Sequence, residues 1–190
     1  MEASSNEERF LFFKFKNCVL EYDYEDDEEG AELEGERRRQ NLLQVLHNSD
    51  YREVIMKCIN SDDLFKAFIR AAASNHSDVL RAFLDLGINP NVTDRQGTTA
   101  LMWASRDGHE ESTRLLLDYN TNVDIQNDNG WTALMYSSCC GRNKIVELLL
   151  SHDVDILPRD HNGESAFDLF CDEEIKEMIQ NHVSTSYVLK

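Results

Sequence analysis

The stretch Asp94-Arg-Gln-Gly-Thr-Thr-Ala-Leu-Met-Trp-Ala104 decides the fold, because its residue types return 33 positions later and again after a further 33. The second copy is Asn127-Asp-Asn-Gly-Trp-Thr-Ala-Leu-Met-Tyr-Ser137, and the third is Asp160-His-Asn-Gly-Glu-Ser-Ala-Phe-Asp-Leu-Phe170. A fixed period of this length is typical of a solenoid of small stacked repeats. Each repeat is too small to bury its apolar face alone, so it must pack against its neighbours.

Every copy carries the residue types that a turn and a following helix need. A short polar residue three positions before the glycine can fold back on its own backbone and nucleate a turn, and the glycine supplies unusual backbone angles. Thr99 and Thr132 are predicted to cap the next helix, and Ser165 holds the same place in the last copy. Two apolar columns predict the core: Phe68, Leu101, Leu134 and Phe167 in the first helix, and Phe83, Leu116 and Leu149 in the second.

These copies resemble the ankyrin repeat, whose signature is a turn followed by T-P-L-H-x-A. Residues 63–93 are similar to a further copy with a degraded start. Gly108-His109 matches a Gly-His pair that lies between the two helices of a repeat in this family, and we expect His109 to support that loop. Ala replaces the usual Pro, and Met102, Met135 and Asp168 replace the usual His. The resemblance implies an all-α ankyrin-repeat solenoid of stacked helix-turn-helix units with short turn or β-hairpin tips.

The rest of the chain predicts an arm, a cap and a tail around the repeats. We expect an acidic, disordered N-terminal arm over 1–36, a capping pair of helices over 37–62, and a C-terminal tail over 183–190. Residues 9–24 leave three interpretations open: an extended arm along the solenoid, a linear motif for a partner, or a short helix. The repeats are expected at 63–93, 94–126, 127–159 and 160–182, the last with a second helix shortened to about Glu173–Gln180.

Composition excludes several classes of function. The net charge is −17, and residues 1–36 hold 13 acidic and 3 basic side chains, a balance of −10. Such a chain lacks the basic stripe that displaces counterions from phosphate, so we expect no direct nucleic-acid binding. It shows neither a long apolar stretch nor a signal-peptide pattern, which predicts no membrane insertion and a cytoplasmic or nuclear location. Five cysteines without C-x-x-C spacing indicate free thiols.

The candidate site follows from the resemblance. Ankyrin-like stacks usually meet partners with their turn tips and the exposed, concave side of their first helices. Trp131 is the sharpest candidate, either as a binding anchor or as a residue packed on Arg or Tyr side chains of its own stack. Cys140, next to Cys139, is a further candidate for contact with a partner. The positions carried over by register are Arg95, Gln96, Thr98, Arg106, Asp107, Asp128, Asn129, Trp131, Cys139, His161, Asn162 and Glu164.

Neither a catalytic motif nor a metal-binding motif is found, so we expect a non-enzymatic protein without cofactor or metal. The first hypothesis is a monomeric adaptor, scaffold or inhibitor that binds a protein segment with basic and apolar residues. The acidic run Glu21–Glu36 would then speed association with a basic partner. The alternative hypothesis makes residues 9–36 the functional docking or activation segment, carried on a passive repeat scaffold.

Overall fold

The computed structural model describes residues 2–22, 31–48, 62–169 and 173–188, and its regular structure there is helical. It divides into two compact units: unit 1 is Met1–Ala71 with His76–Asn89, and unit 2 is Ala72–Asn75 with Pro90–Lys190. The described helices are α1 (Glu2–Tyr22), α2 (Ala31–Leu46), α3 (Asp62–Ala73), α4 (Ser77–Asp85), α5 (Ala100–Asp107), α6 (Glu110–Asp118), α7 (Ala133–Cys139), α8 (Asn143–Leu150) and α9 (Glu173–Val188).

Unit 1 is held by helices that the sequence did not predict in full. Helix α1 packs on α2, and α2 packs on α4. The α1 face that is buried carries Phe15, Val19 and Tyr22, which fall one helical turn apart. The Tyr22 hydroxyl lies 2.8 Å from Nδ1 of His76, which precedes α4. These contacts place α1 in the core of unit 1.

The expected disordered arm over 1–36 is therefore wrong for residues 2–22 and 31–36, which are helical. The extended interpretation of residues 9–24 is wrong for residues 9–22, where the helical alternative holds. Phe12, Phe13 and Leu20 stay exposed on α1, and these extra apolar residues hid the helical period. Helix α2 begins at Ala31, before the predicted cap, and the second helix expected in 37–60 lies outside the described residues.

The predicted repeat chemistry holds in the middle of unit 2. Thr99 Oγ1 accepts a hydrogen bond from the Met102 amide at 3.2 Å, and Thr132 Oγ1 accepts one from the Met135 amide at 3.3 Å, so both cap their helices. Within this unit α5 packs on α6 and α7, and α8 packs on α7 and α9. The apolar columns meet between these helices, where Leu101, Leu116, Leu134 and Leu149 are almost completely buried.

The loop between α5 and α6 is fixed by its histidine. Nε2 of His109 lies 2.8 Å from the carbonyl oxygen of Ala73, and the hydroxyl of Ser112 donates to Oδ1 of Asn75 at 3.0 Å. Both bonds join the start of α6 to the preceding inter-helix loop. His109 therefore supports a loop, as the sequence predicts.

The last repeat departs from the pattern. Residues 166–169 form a turn where the preceding repeats have a first helix, and Phe167 of the predicted core column is 36% exposed. Helix α9 extends to Val188, so the predicted shortened helix over Glu173–Gln180 is wrong, and the predicted tail over 183–190 is wrong for residues 183–188. The hydroxyl of Ser165 donates to Oδ2 of Asp168 instead of accepting a bond from a helical amide.

Candidate functional site

Each turn tip of unit 2 is built around one polar side chain. Oδ1 of Asp94 accepts hydrogen bonds from the amides of Gln96 and Thr98, both at 2.9 Å. Gly97 has a φ of 72°, in the left-handed region that glycine adopts without strain. The predicted turn nucleation is therefore confirmed. The same pattern holds for Asn127 with Asn129 and Trp131, and for Asp160 with Asn162 and Glu164.

Successive tips are joined into a row by their backbones. The amide of Asp128 donates to the carbonyl of Gln96 at 3.0 Å, and the amide of His161 donates to the carbonyl of Asn129 at 3.1 Å. This row fixes the spacing between tips, so the side chains that point away from it are presented on a stiff frame. The predicted tip residues exposed along this row are Arg95, Gln96, Asp128, Asn129, His161, Asn162 and Glu164.

Thr98 does not belong to this exposed set. It is only 5% exposed, and its amide is held by the Asp94 carboxylate. Its position next to the turn glycine turns the side chain into the repeat rather than outward. The burial of Thr98 therefore counts against the predicted contact of its side chain with a partner.

The first aromatic cluster lies on α5 behind the tip of the second repeat. The indole Nε1 of Trp103 donates to Oδ2 of Asp94 at 3.0 Å. The guanidinium of Arg106 stacks 4.0 Å from the ring centroid of Trp103, a cation–π contact. Arg106 also donates to Asp107 at 2.8 Å. The predicted site residues Arg106 and Asp107 are thus half-buried partners whose charges compensate each other.

The second aromatic cluster lies one repeat further on. Trp131 and Tyr136 have ring centroids 4.9 Å apart. The indole Nε1 of Trp131 donates to Oδ2 of Asp160 at 3.2 Å, while the Asn127 amide nitrogen donates to the Tyr136 hydroxyl at 2.9 Å. Trp131 is half-buried and packs on a tyrosine of its own stack, as the second interpretation of this residue predicted. Its remaining exposed edge lies beside the tips.

The Asp160 carboxylate is the electrostatic centre of the last tip. Hydrogen bonds from the backbone amides of Glu164 and Asn162 lower its pKa, and the Trp131 indole lowers it further. These donors stabilise the ionised form, since a carboxylate gains more from them than a neutral acid does. The last tip is therefore built on a charged acceptor, whereas the neutral Asn127 amide has the same role in the tip before it.

Of the two neighbouring cysteines, Cys139 lies where the reactivity of its thiol is reduced. Cys139 is half-buried and Cys140 is exposed. Burial raises the pKa of the Cys139 thiol, and the neighbouring Cys140 raises it further. The thiolate is the nucleophilic and metal-binding form, so a raised pKa makes this thiol less reactive. Cys139 contributes packing at the C-terminal end of α7.

Two further features of the described residues concern metal binding and membrane spanning. Nowhere in this part of the chain do three or more His, Cys, Asp or Glu side chains approach closely enough to hold a metal ion. None of the described helices combines the length and the hydropathy that a membrane-spanning segment requires.

A comparison with protein-family models matches residues 40–160 to the family described as ankyrin repeats (3 copies). The chain belongs to the ankyrin-repeat family. Its fold is an all-α ankyrin-repeat solenoid, and ankyrin repeats are general modules for binding other proteins. The match begins inside α2, before the first repeat expected from the sequence at residue 63. No individual curated protein matches the chain.

The ankyrin repeat pattern did not predict the exposure of two apolar residues of unit 2, Leu157 and Phe167. Leu157 is 70% exposed. The residues 33 and 66 positions before it in the same column, Asp124 and Asn91, are both polar. An apolar residue in a column that is otherwise polar is a signal that the sequence offered. The exposure of Phe167 had no such signal, because its own column is apolar throughout.

Proposed function

We propose that the chain is a non-enzymatic adaptor, scaffold or inhibitor that binds another protein with one face of unit 2. That face, here called the tip surface, joins the exposed turn tips to the two aromatic clusters on α5 and α7. Its members are Arg95, Gln96, Arg106, Asp107, Asp128, Asn129, Trp131, Cys139, Cys140, His161, Asn162 and Glu164.

The observation that carries the proposal is the hydrogen-bonded row of tips. Backbone bonds at 3.0 and 3.1 Å join three tips, and side-chain acceptors hold each turn from within. A surface ordered in this way loses little conformational entropy when a partner binds, and the saving strengthens binding. Trp131 supplies amphipathic aromatic area of the kind enriched at interfaces, and Trp103 holds Arg106 of the tip surface in place by a cation–π contact.

The charges of the tip surface favour a partner with basic and apolar residues. Arg106 and Asp107 pair with each other. The remaining charges of the tip surface are one positive side chain, Arg95, and two negative ones, Asp128 and Glu164. The local balance is therefore slightly acidic, and the whole chain carries −17. Long-range attraction of this sign speeds the encounter with a basic segment more than it strengthens the final complex.

The test is affinity capture from cell lysate with matched baits. A triple variant, Arg95→Ala with Asn129→Ala and His161→Ala, removes three exposed tip side chains without touching the turn-building bonds. The control is Arg114→Ala, because Arg114 is also exposed but lies on the second helix α6. We expect a protein retained by the wild type and by the control to be lost from the triple variant. Equal retention by all three baits would refute the tip surface.

The alternative, in which residues 9–36 form the docking element, is favoured by one observation. Phe13 is 65% exposed and Phe12 is 44% exposed on α1, whereas Phe15 and Tyr22 are buried. Among the described side chains of α1, those on its outer side are thus available to a partner. Deletion of α1 would remove part of the unit 1 core, so Phe12→Ser with Phe13→Ser is the sharper variant. Loss of capture in this variant, with capture kept by the tip-surface triple, would establish the alternative.

A further inference from the structure

Two sets of contacts join one repeat of unit 2 to the next, and among the described residues neither set continues beyond the last repeat. The first set is the backbone row, in which the carbonyls of Gln96 and Asn129 accept bonds from the following tip. Asn162 holds the same place in the last tip. The second set is side-chain acceptors: Oδ1 of Asn91 accepts from the Asn122 amide, and Oδ1 of Asp124 accepts from the Asp155 amide, both at 2.8 Å.

The turn glycines show the same end of the stack. A Cβ atom on Gly130 would lie 2.9 Å from Cα of Asp160, and one on Gly97 would lie 2.9 Å from Oδ1 of Asp128. A Cβ on Gly163 would meet no described atom within 4 Å. The next repeat covers the turns around Gly97 and Gly130, whereas no described residue covers the turn at Gly163 in this way.

This open end is apolar where the inner repeats are polar. Leu157 replaces the acceptor of the second set and is 70% exposed. Together with Phe167, Ile179 and Val183 it lines a cavity of about 490 Å³ between the last turn and α9. That volume lies in the range of about 300–1,000 Å³ typical of ligand-binding clefts.

The cavity has one charged lining residue, Arg159. Its Nη1 donates to the Gly163 carbonyl at 2.5 Å and to Asp168 at 3.0 Å. No hydrogen bond of its Nε or Nη2 is found among the described residues. Gln126, one repeat earlier, bonds the equivalent Gly130 carbonyl and reaches on to the carbonyl of Arg159. Arg159 thus replaces a residue that bridges to the following repeat. Its Nη1 is already paired with Asp168, so only the donors on Nε and Nη2 are left to bond a second carboxylate.

We propose that this end groove, formed by Leu157, Arg159, Phe167, Ile179 and Val183, binds an acidic, apolar segment of a partner protein. Apolar side chains of the segment fill the cavity, and a carboxylate pairs with Nε and Nη2 of Arg159. The groove shares no residue with the tip surface, so the two proposals stand or fall separately.

The test measures fluorescence polarisation of two short labelled peptides, one alternating leucine with glutamate and the other alternating leucine with lysine. The full chain is titrated into each peptide at about 0.15 M salt. This salt concentration screens interactions between charges that lie more than about 8 Å apart. The net charge of −17 favours the lysine peptide. A preference for the glutamate peptide must therefore come from a local cation.

The variants convert the end groove to the residues of the inner repeats. Leu157→Asn copies Asn91, and Arg159→Gln copies Gln126, so both replacements already occur in folded repeats of this chain. Arg114→Gln on α6 is the matched control. We expect tighter binding of the glutamate peptide, weakened about tenfold by each groove variant and unchanged by the control, since bonds to charged groups are the stronger ones. Absence of binding, equal binding of both peptides, or no effect of the groove variants would overturn the proposal.

Discussion

The turn around Gly130 and the turn around Gly163 have the same local geometry and opposite surroundings. Their φ angles are 80° and 83°, and each turn is closed by two amides that bond one side-chain oxygen. Gly130 is buried under Asp160, whereas Gly163 is exposed. The local sequence sets the shape of the turn, and the following repeat sets what that turn costs to change.

The largest effect of this difference between inner and last repeats is expected in the apolar column that contains Leu134 and Phe167. Leu134 is completely buried, while Phe167 in the same column is 36% exposed. Leu134→Ala should lower the free energy of unfolding by about 3 kcal/mol, because it removes buried methyl groups and leaves a cavity. Phe167→Ala should cost less, about 1–2 kcal/mol, since about a third of the residue already contacts solvent.

Urea unfolding followed by circular dichroism measures both values under the same conditions. If the unfolding free energy of each variant falls with urea concentration at the wild-type slope, the variant changes stability rather than the unfolded state. Equal losses for the two variants would mean that Phe167 is as buried as Leu134 in solution, and the comparison between inner and last repeats would fail.

The glycines give the second test. Gly130→Ala should cost about 3 kcal/mol, because an L residue at positive φ is strained by about 1–2 kcal/mol and its Cβ would collide with the Asp160 backbone. Gly163→Ala carries the strain without the collision and should cost about 1 kcal/mol. Thermal and urea unfolding of the pair measure the difference. If both variants lose the same stability, the last turn is covered in solution.

Acid sensitivity gives the smallest effect. The lowered pKa of Asp160 means that its ionised form adds stability above the unfolded pKa near 3.8, and that this stability is lost as the pH falls through the folded pKa. Asp160→Asn should therefore flatten the dependence of unfolding free energy on pH between about pH 5 and about pH 3. Asn127→Asp should steepen it, because it places an ionisable acceptor in the inner turn. Unchanged slopes for both variants would contradict the assignment.

Much of unit 2 could be predicted from the sequence, because its contacts are local and recur every 33 residues. The polar residue three before each glycine does close its turn, and Thr99 and Thr132 do cap their helices. His109 does support the loop between helices. These features depend on a few neighbouring residues, so a period in the sequence is enough to reveal them.

Less could be predicted where one contact partner lies far along the chain. The apolar residues of α1 show no clean period, because Phe12, Phe13 and Leu20 add an exposed stripe to the buried one. The burial of Tyr22 depends on His76, 54 positions away. Thr98 was expected among the partner contacts, yet the turn of the Asp94 loop buries it.

The sequence by itself determined the repeat, its turns, its helix caps and the apolar columns of the inner repeats, since each follows from the stereochemistry of a few adjacent residues. Only the tertiary structure decided which turn glycines are covered by a following repeat. Gly163 carries the residue type of an inner position, yet no described residue covers it as Asp160 covers Gly130. Burial belongs to the neighbour as much as to the residue, so the open end groove became visible only after the repeats were packed.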